Sequence, residues 1–342
     1  MLLVTNAADV GTGSLRSVLI EANEAESLVR IEVQLDPGTV IEVLSALPPL
    51  RAPGAVLEGG GAILRSSEDC ERPDGRFGCD GLVLRGPNIT VRNLVAQNFL
   101  FDGFAVRGSA ARGTTIRGCA SMNNSDDGFG VSEGAQAIVI RDCVSIDNGF
   151  RTKGKGILVF DDSNATLIGN VLIGNRDGLT ISRRARAEVR DTAVIGSFDK
   201  GVGVAGAELI GSDNLIAANG LSDDDSAPNA DGLRATLGSR VRLVNTEISA
   251  SGDTGVIALQ GSEIELVDSR VFQNARYGVA AATEGVVTLI DTEVTGSGEL
   301  DIYLHDARSR IFHTTRALRP TGIGPLQSEA SRLGNTEAKP AR

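Results

Sequence analysis

A glycine followed by an apolar residue recurs along this chain, at Gly103-Phe104, Gly128-Phe129, Gly156-Ile157, Gly178-Leu179, Gly201-Val202, Gly232-Leu233, Gly255-Val256 and Gly278-Val279. The intervals are 25, 28, 22, 23, 31, 23 and 23 residues, and Asp301-Ile302 keeps the register after another 23. A period in this range means stacked units that bury their apolar faces only against one another. Two residues beyond each apolar position runs a second apolar column: Val106, Val131, Val159, Ile181, Val204, Ala235, Ala258, Ala281 and Leu304. Alternation at period two puts both columns on one face of a strand. A third column, Cys119, Cys143, Asn170, Thr192, Asn214, Thr246, Ser269 and Thr292, keeps the same step. Small polar side chains at one place in every unit predict an inward ladder at a bend, with Cys119 and Cys143 as members rather than a metal or redox pair.

Helical repeats are excluded because glycines at this spacing would break the helices. Leucine-rich repeats lack their Leu/Asn consensus here. What remains is an all-β fold, a single right-handed parallel β-helix with rungs of about 22–25 residues and room for about twelve of them over residues 30–313. The 42 glycines and absent tryptophan suit short strands and tight turns. Exposed solenoid ends need caps. Residues 1–29 supply one, with Ser14 as N-cap of a helix whose Leu15, Val18, Leu19 and Ala22 share a face. Residues 314–342 carry no repeat and read as a polar tail or linker.

The net charge of −11 argues against nucleic acid as a partner and leaves divalent cations compatible. No run of 18 apolar residues is present, so membrane insertion is not expected. Met1-Leu2-Leu3-Val4 is too short and uncharged for a signal peptide, leaving a mature exported form or a cytosolic protein. Cys70 and Cys79 flank a Pro/Gly-containing loop whose ends can meet. A disulfide there would mean an oxidising compartment; two unpaired loop thiols are the alternative.

Chemistry concentrates at the position before each repeat glycine: Asp102, Asp127, Lys155, Asp177, Lys200, Asp231, Thr254 and Tyr277, with Asp126, Arg176, Asp199 and Asp253 one residue earlier. Rungs about 4.8 Å apart bring such residues within reach of one another or of a shared cation. Two insertions, 149–155 and 220–230, leave the coil at this corner and would wall a groove floored by Asp177 and Lys200. An alternating line of charges also serves a solvated solenoid face, and Asp-Gly is an ordinary turn dipeptide. Arg183, Arg184, Arg186 and Arg190 form a second basic spot. Phe104 and Phe129 fall in the inward column, whereas Phe99, Phe101 and Phe150 are expected to offer sugar-stacking faces. His305 and His313 are expected at the surface.

The segment Val4-Thr5-Asn6 through Ala22-Asn23 resembles the opening of many secreted bacterial β-helix proteins. Asn123-Asn124-Ser125-Asp126-Asp127-Gly128-Phe129 resembles the Asp-Asp-Gly-Phe segment of family 9 polysaccharide lyases, within the pectate-lyase-like β-helix superfamily. The resemblance implies calcium held by Asp126 and Asp127, with Asp177 contributing from two rungs on. It implies a basic side chain that removes the C5 proton of a uronate, followed by β-elimination or epimerisation. Here Gly130 replaces an Asp of that pattern, and Leu158 stands where its lysine is expected, leaving Lys155 or Lys200 as the base. Arg151, Lys153, Arg176, Arg183 and Arg184 are the basic residues placed to meet substrate carboxylates. The expectation is a secreted or cell-surface monomer acting on an acidic polysaccharide; the alternative is a non-catalytic surface or adhesin module.

Overall fold

A computed structural model describes residues 1–71, 78–151, 153–220 and 230–315. Among these, every strand belongs to one of three parallel sheets, of 13, 11 and 10 strands. The chain visits the first, second and third sheet in turn. Thr115–Arg117, Ala120–Met122 and Phe129–Ser132 make one such circuit, and Ile138–Arg141 returns to the first sheet one rung on. The 13 strands of the first sheet are separated by twelve steps, the expected number of rungs. The helix α1 (Leu15–Glu24) covers the N-terminal end. Ser14 Oγ accepts a hydrogen bond from Ser17 N, and Leu15, Val18, Leu19 and Ala22 are buried. At the other end the last described strand is Arg310–Thr314; residues 316–342, most of the expected tail, lie outside the described residues.

The Gly-apolar column runs up the third sheet. Phe104, Phe129, Ile157, Leu179, Val202, Leu233, Val256 and Val279 are register partners on successive rungs, and all are buried. The rings of Phe104 and Phe129 stack with centroids 5.1 Å apart. Why the preceding residue is glycine follows from what packs against it. A Cβ on Gly103 would stand 2.1 Å from Ser121 Oγ, and one on Gly128 would stand 2.4 Å from Ser145 Oγ. Those hydroxyls donate to the carbonyls of Gly128 and Gly156 at 2.8 and 2.9 Å.

Two polar ladders hold the bends. The expected one lies between the first and second sheets: Cys143 N donates to Asn170 Oδ1 at 3.0 Å, Thr192 N to Asn214 Oδ1 at 3.1 Å, and Thr246 N to Ser269 Oγ at 3.1 Å. Cys119 and Cys143 are buried free thiols within it. The second ladder, between the second and third sheets, consists of Asn124, Asn148 and Asn175. The Nδ2 groups of Asn124 and Asn148 donate to the next Oδ1, at 2.9 and 3.0 Å, that same Oδ1 also accepts the preceding backbone N–H, and Asn175 Nδ2 donates to the Ser145 carbonyl at 2.9 Å. Cys70 and Cys79 form a disulfide with Cα atoms 5.8 Å apart, which removes the unpaired-thiol alternative. Residues 72–77 between them lie outside the described residues.

Replacing Asn148 by Ala takes the acceptor from the buried Asn124 N–H and removes the side chain's bonds to Ser121 O, Ser145 Oγ and Asn124 Nδ2. It should lower unfolding free energy by about 2–4 kcal/mol, whereas Arg240→Ala on the solvated face should stay within about 0.5 kcal/mol. Parallel urea titrations compare the two.

Candidate functional site

The Asn ladder delivers the chain to the third sheet immediately before the charged column, which fixes where Asp126 and Asp127 stand. The column is continuous, as its spacing predicts, but it is not a solvated line. Asp102, Asp127, Asp177 and Asp231 are 6%, 5%, 4% and 0% exposed, and Lys155 and Lys200 are half-buried. Each of several carboxylates is anchored by the rung above it. Asp102 Oδ1 accepts from Asp127 N at 3.2 Å, Asp127 Oδ1 from Lys155 N at 2.7 Å, and Asp231 Oδ1 from Thr254 N at 3.3 Å. The turn role of these residues is therefore real, and it also aims their second oxygens outward across the sheet.

Three carboxylates converge. Single oxygens of Asp102, Asp126 and Asp127 all lie within 4.8 Å of one another, a spacing suited to a shared cation. Burial and the neighbouring Asp80 push the Asp102 carboxyl up to about 7. Burial, with the charges of Asp102 and Asp126, pushes Asp127 well above the usual carboxylate range. Asp177 stands apart from this trio. Its Oδ2 is shared by Lys200 Nζ at 2.8 Å and Lys155 Nζ at 3.5 Å, while its buried Oδ1 finds no hydrogen-bond partner among the described residues. Both proposed bases are thus committed to one carboxylate.

Two site residues escaped the sequence pattern. Asp80 extends the column back one rung, since Asp80-Gly81-Leu82-Val83-Leu84 is a further copy of the repeat. Arg107, on the next strand, grips Asp80 through both oxygens at 2.8 and 2.9 Å and reaches Asp102 Oδ2 at 2.8 Å. That Asp102 oxygen also explains Gly130. A side chain there would begin 2.6 Å from Asp102 Oδ2, so the position that carries Asp in the lyase pattern is closed to one here.

The remaining basic residues are distributed differently. Arg176 Nε pairs with Asp199 Oδ2 at 3.1 Å beside the site. Arg183 and Arg184 pair with Asp161 and Asp162 at 3.7 and 2.5 Å, at the far end of the strand that begins at Asp177, roughly 20 Å along it. They face another edge of the solenoid and do not join the carboxylates. Arg151 and Lys153 are exposed on the first insertion, with the Lys153 carbonyl in contact with Lys155 Nζ. Thr152 and residues 221–229, most of the second insertion, lie outside the described residues, so the second wall of the groove does too. Of the rings expected to face sugar, Phe99 is fully buried, a correction that follows from its place beside the Asn ladder, where its N–H donates to Asn124 Oδ1. Phe101 is half-buried. Phe150 is 48% exposed and meets Phe198 edge-on at 5.9 Å. His305 and His313 are exposed, as expected.

Stacked rungs, three parallel sheets and a charged line on one of them define a parallel β-solenoid. Residues 52–194 and 155–316, together more than half of the chain, match the family described as right handed beta helix region, and the chain belongs to that family. A search of curated proteins by sequence finds no match. Among solved structures, the A-module of mannuronan C-5 epimerase AlgE4 from Azotobacter vinelandii is similar at a TM-score of 0.58 and 16% identity, over 90% of this chain and 97% of that one. The catalytic domain of a GH87 alpha-1,3-glucanase is similar at 0.62 and 12% identity, over 92% and 68%. Pectate lyase Pel9A is similar at 0.54 and 11% identity, over 87% and 72%. Identities this low establish the shared fold alone.

Asp102 has a sign-definite consequence. Its folded value of about 7 exceeds the ordinary 3.8, so the unfolded chain releases this proton first, and stability is lost as pH rises from about 4 to about 7. Asp231, pushed up to about 6 by burial, acts in the same direction. In chelator-treated protein the unfolding free energy should therefore fall over that window, and Asp102→Asn should flatten the fall. Urea titrations at a series of pH values read it directly.

Proposed function

We propose that this chain is an exported carbohydrate-active β-helix protein that engages an acidic, uronate-type polysaccharide along the charged line of the third sheet. The observation that carries the reading is the convergence of Asp102, Asp126 and Asp127 beside the pair of lysines on Asp177. Burial first, and then neighbouring carboxylates (Asp80 for Asp102; Asp102 and Asp126 for Asp127), impose a cost on keeping Asp102 and Asp127 charged without a cation. A hard cation with flexible oxygen coordination relieves it, and the all-oxygen donor set fits calcium. Calcium there would neutralise a uronate carboxylate and so ease proton removal at C5.

The chain's own residues divide the remaining work. Asp80 and Arg107 hold Asp102 in place, and the Asn ladder holds Asp126 and Asp127. Lys155 and Lys200 stand next in line, so a uronate bound at the trio meets their ammonium groups. Either lysine becomes a base for C5 only by giving up its ion pair with Asp177, a group that can retain the other. Phe150 offers a ring at the edge. The similar epimerase, glucanase and lyase structures support a polysaccharide as ligand, and the Cys70–Cys79 disulfide supports export to an oxidising compartment. No helix among the described residues is long and apolar enough to cross a membrane.

A non-catalytic binding module is the second reading, favoured by one observation: both lysines share the same Asp177 oxygen. Two measurements separate the readings. Calcium at roughly 1 mM should raise the Tm by several degrees, and Asp126→Asn should abolish the rise; an unchanged Tm in the native chain removes the cation site. With alginate, pectate and glycosaminoglycans, a lyase gives absorbance at ~235 nm, and an epimerase incorporates solvent deuterium at C5. Either signal should need calcium and should disappear in Lys155→Ala or Lys200→Ala. Binding without either signal favours the module.

A further inference from the structure

The outward face of the second sheet has a different character from the rest of the surface. One of its two outward rows reads Val95, Ala120, Val144, Val171, Ala193 and Leu215 on six consecutive rungs. The other runs from Gln97 and Met122 through Ile146, Ile173 and Ile195 to Ala217 on the same rungs. None of these side chains is buried, and Ile173 is 40% exposed. The same rows then change chemistry. Glu247, Arg270 and Glu293 follow in the first row, with Arg270 3.6 and 3.5 Å from the two glutamates. The first sheet, by contrast, meets solvent with ion pairs between rungs, Arg186 with Glu208, Arg240 with Glu263 and Arg242 with Glu265, so six rungs of unburied, mostly apolar side chains set the second sheet apart from it. Contiguous exposed apolar surface of this kind marks an interface.

We propose that this face pairs with the same face of a second copy of the chain, giving an antiparallel dimer in place of the expected monomer. Charge order selects that occupant. Before the apolar stretch the outward residues are Glu42 and then Arg65, an ion pair on adjacent rungs; after it come Glu247 and then Arg270. A twofold axis along the strands, midway between the rungs of Ile146 and Ile173, lays Ile146 on Ile173, Val144 on Val171 and Val95 on Leu215. It also lays the rung of Arg65 on that of Glu247, and the rung of Glu42 on that of Arg270. Arg65 and Glu247 then stand on facing rungs but in different rows, as do Glu42 and Arg270, offset by two residues or about 7 Å along the strand, so long side chains of opposite charge come near one another at both ends although each copy carries a net −11. Ten rungs at about 4.8 Å and three-residue strands about 10 Å long give a footprint of roughly 500 Å² per copy, below the ~800 Å² of a standard interface and in the range of a weaker, reversible pairing. An apolar centre with a charged rim is the usual anatomy of such a contact. The pairing leaves the charged line of the third sheet open and does not depend on what that line binds.

Sedimentation equilibrium of the full chain up to about 100 μM tests the pairing. The native chain should run at twice its 35.5 kDa. Ile173→Lys should return it to the single-chain mass with unchanged circular dichroism and Tm, and Ile195→Glu should repeat the result one rung on. Ile210→Lys, at a residue 46% exposed on the first sheet, should leave the pair intact. A single-chain mass for the native protein at every concentration overturns the proposal and assigns the face to another partner or to the chain's own remaining residues. A double mass that survives both Ile173→Lys and Ile195→Glu overturns it equally, because the contact then lies elsewhere.

Discussion

Every rung of this solenoid must turn its backbone between sheets without leaving buried amide groups unpaired, and inward side chains at equivalent positions meet that requirement. At the bend into the third sheet, Asn124, Asn148 and Asn175 each accept a backbone N–H from the preceding rung, and Asn124 and Asn148 donate onward through Nδ2 while Asn175 Nδ2 donates back to the Ser145 carbonyl. At the bend into the second sheet the Cys, Asn, Thr and Ser column does the same with less regularity. A buried polar group left unpaired costs more than a made hydrogen bond returns, so these ladders enforce register as well as stability. Glycine before the inward apolar column follows from them, since the Ser and Asn side chains occupy the space a Cβ would need.

The charged line inherits its geometry from that constraint. Because consecutive rungs stack in register, Asp102, Asp127 and Lys155 fall one above another, and each Asp ties down the backbone of the next rung with one oxygen. The other oxygens crowd together on the sheet. Burial, and after it the neighbouring carboxylates, raises the protonation of Asp102 and Asp127, and Arg107 and Lys155 offset only part of it. The site is thus a by-product of stacking that has been made unusually acidic at one end and basic at the other.

The period, the sheet that carries the Gly-apolar column, the capping helix, the disulfide and the first polar ladder were all legible, because each depends on residue type at a fixed interval. The Asn ladder was not. Asn124, Asn148 and Asn175 sit among turn residues where Asn is ordinary, and only the structure shows their side chains turned inward. Asp80 could have been found by carrying the repeat back one rung. Arg107 could not, since its pairing across rungs depends on where side chains lie over the sheet. The burial of Phe99 is hidden from the sequence for the same reason: neighbouring positions at a bend alternate between core and solvent without a period to announce it. The separation of Asp177 from the trio is likewise a matter of which side chain Lys155 and Lys200 choose, which spacing alone does not decide.

Crystals soaked in calcium and measured for anomalous scattering address the central claim most directly. The account predicts a peak among the carboxylates of Asp102, Asp126 and Asp127, with Arg107 still on Asp80. No peak there, or a peak at Asp177 in place of its two lysines, would contradict it.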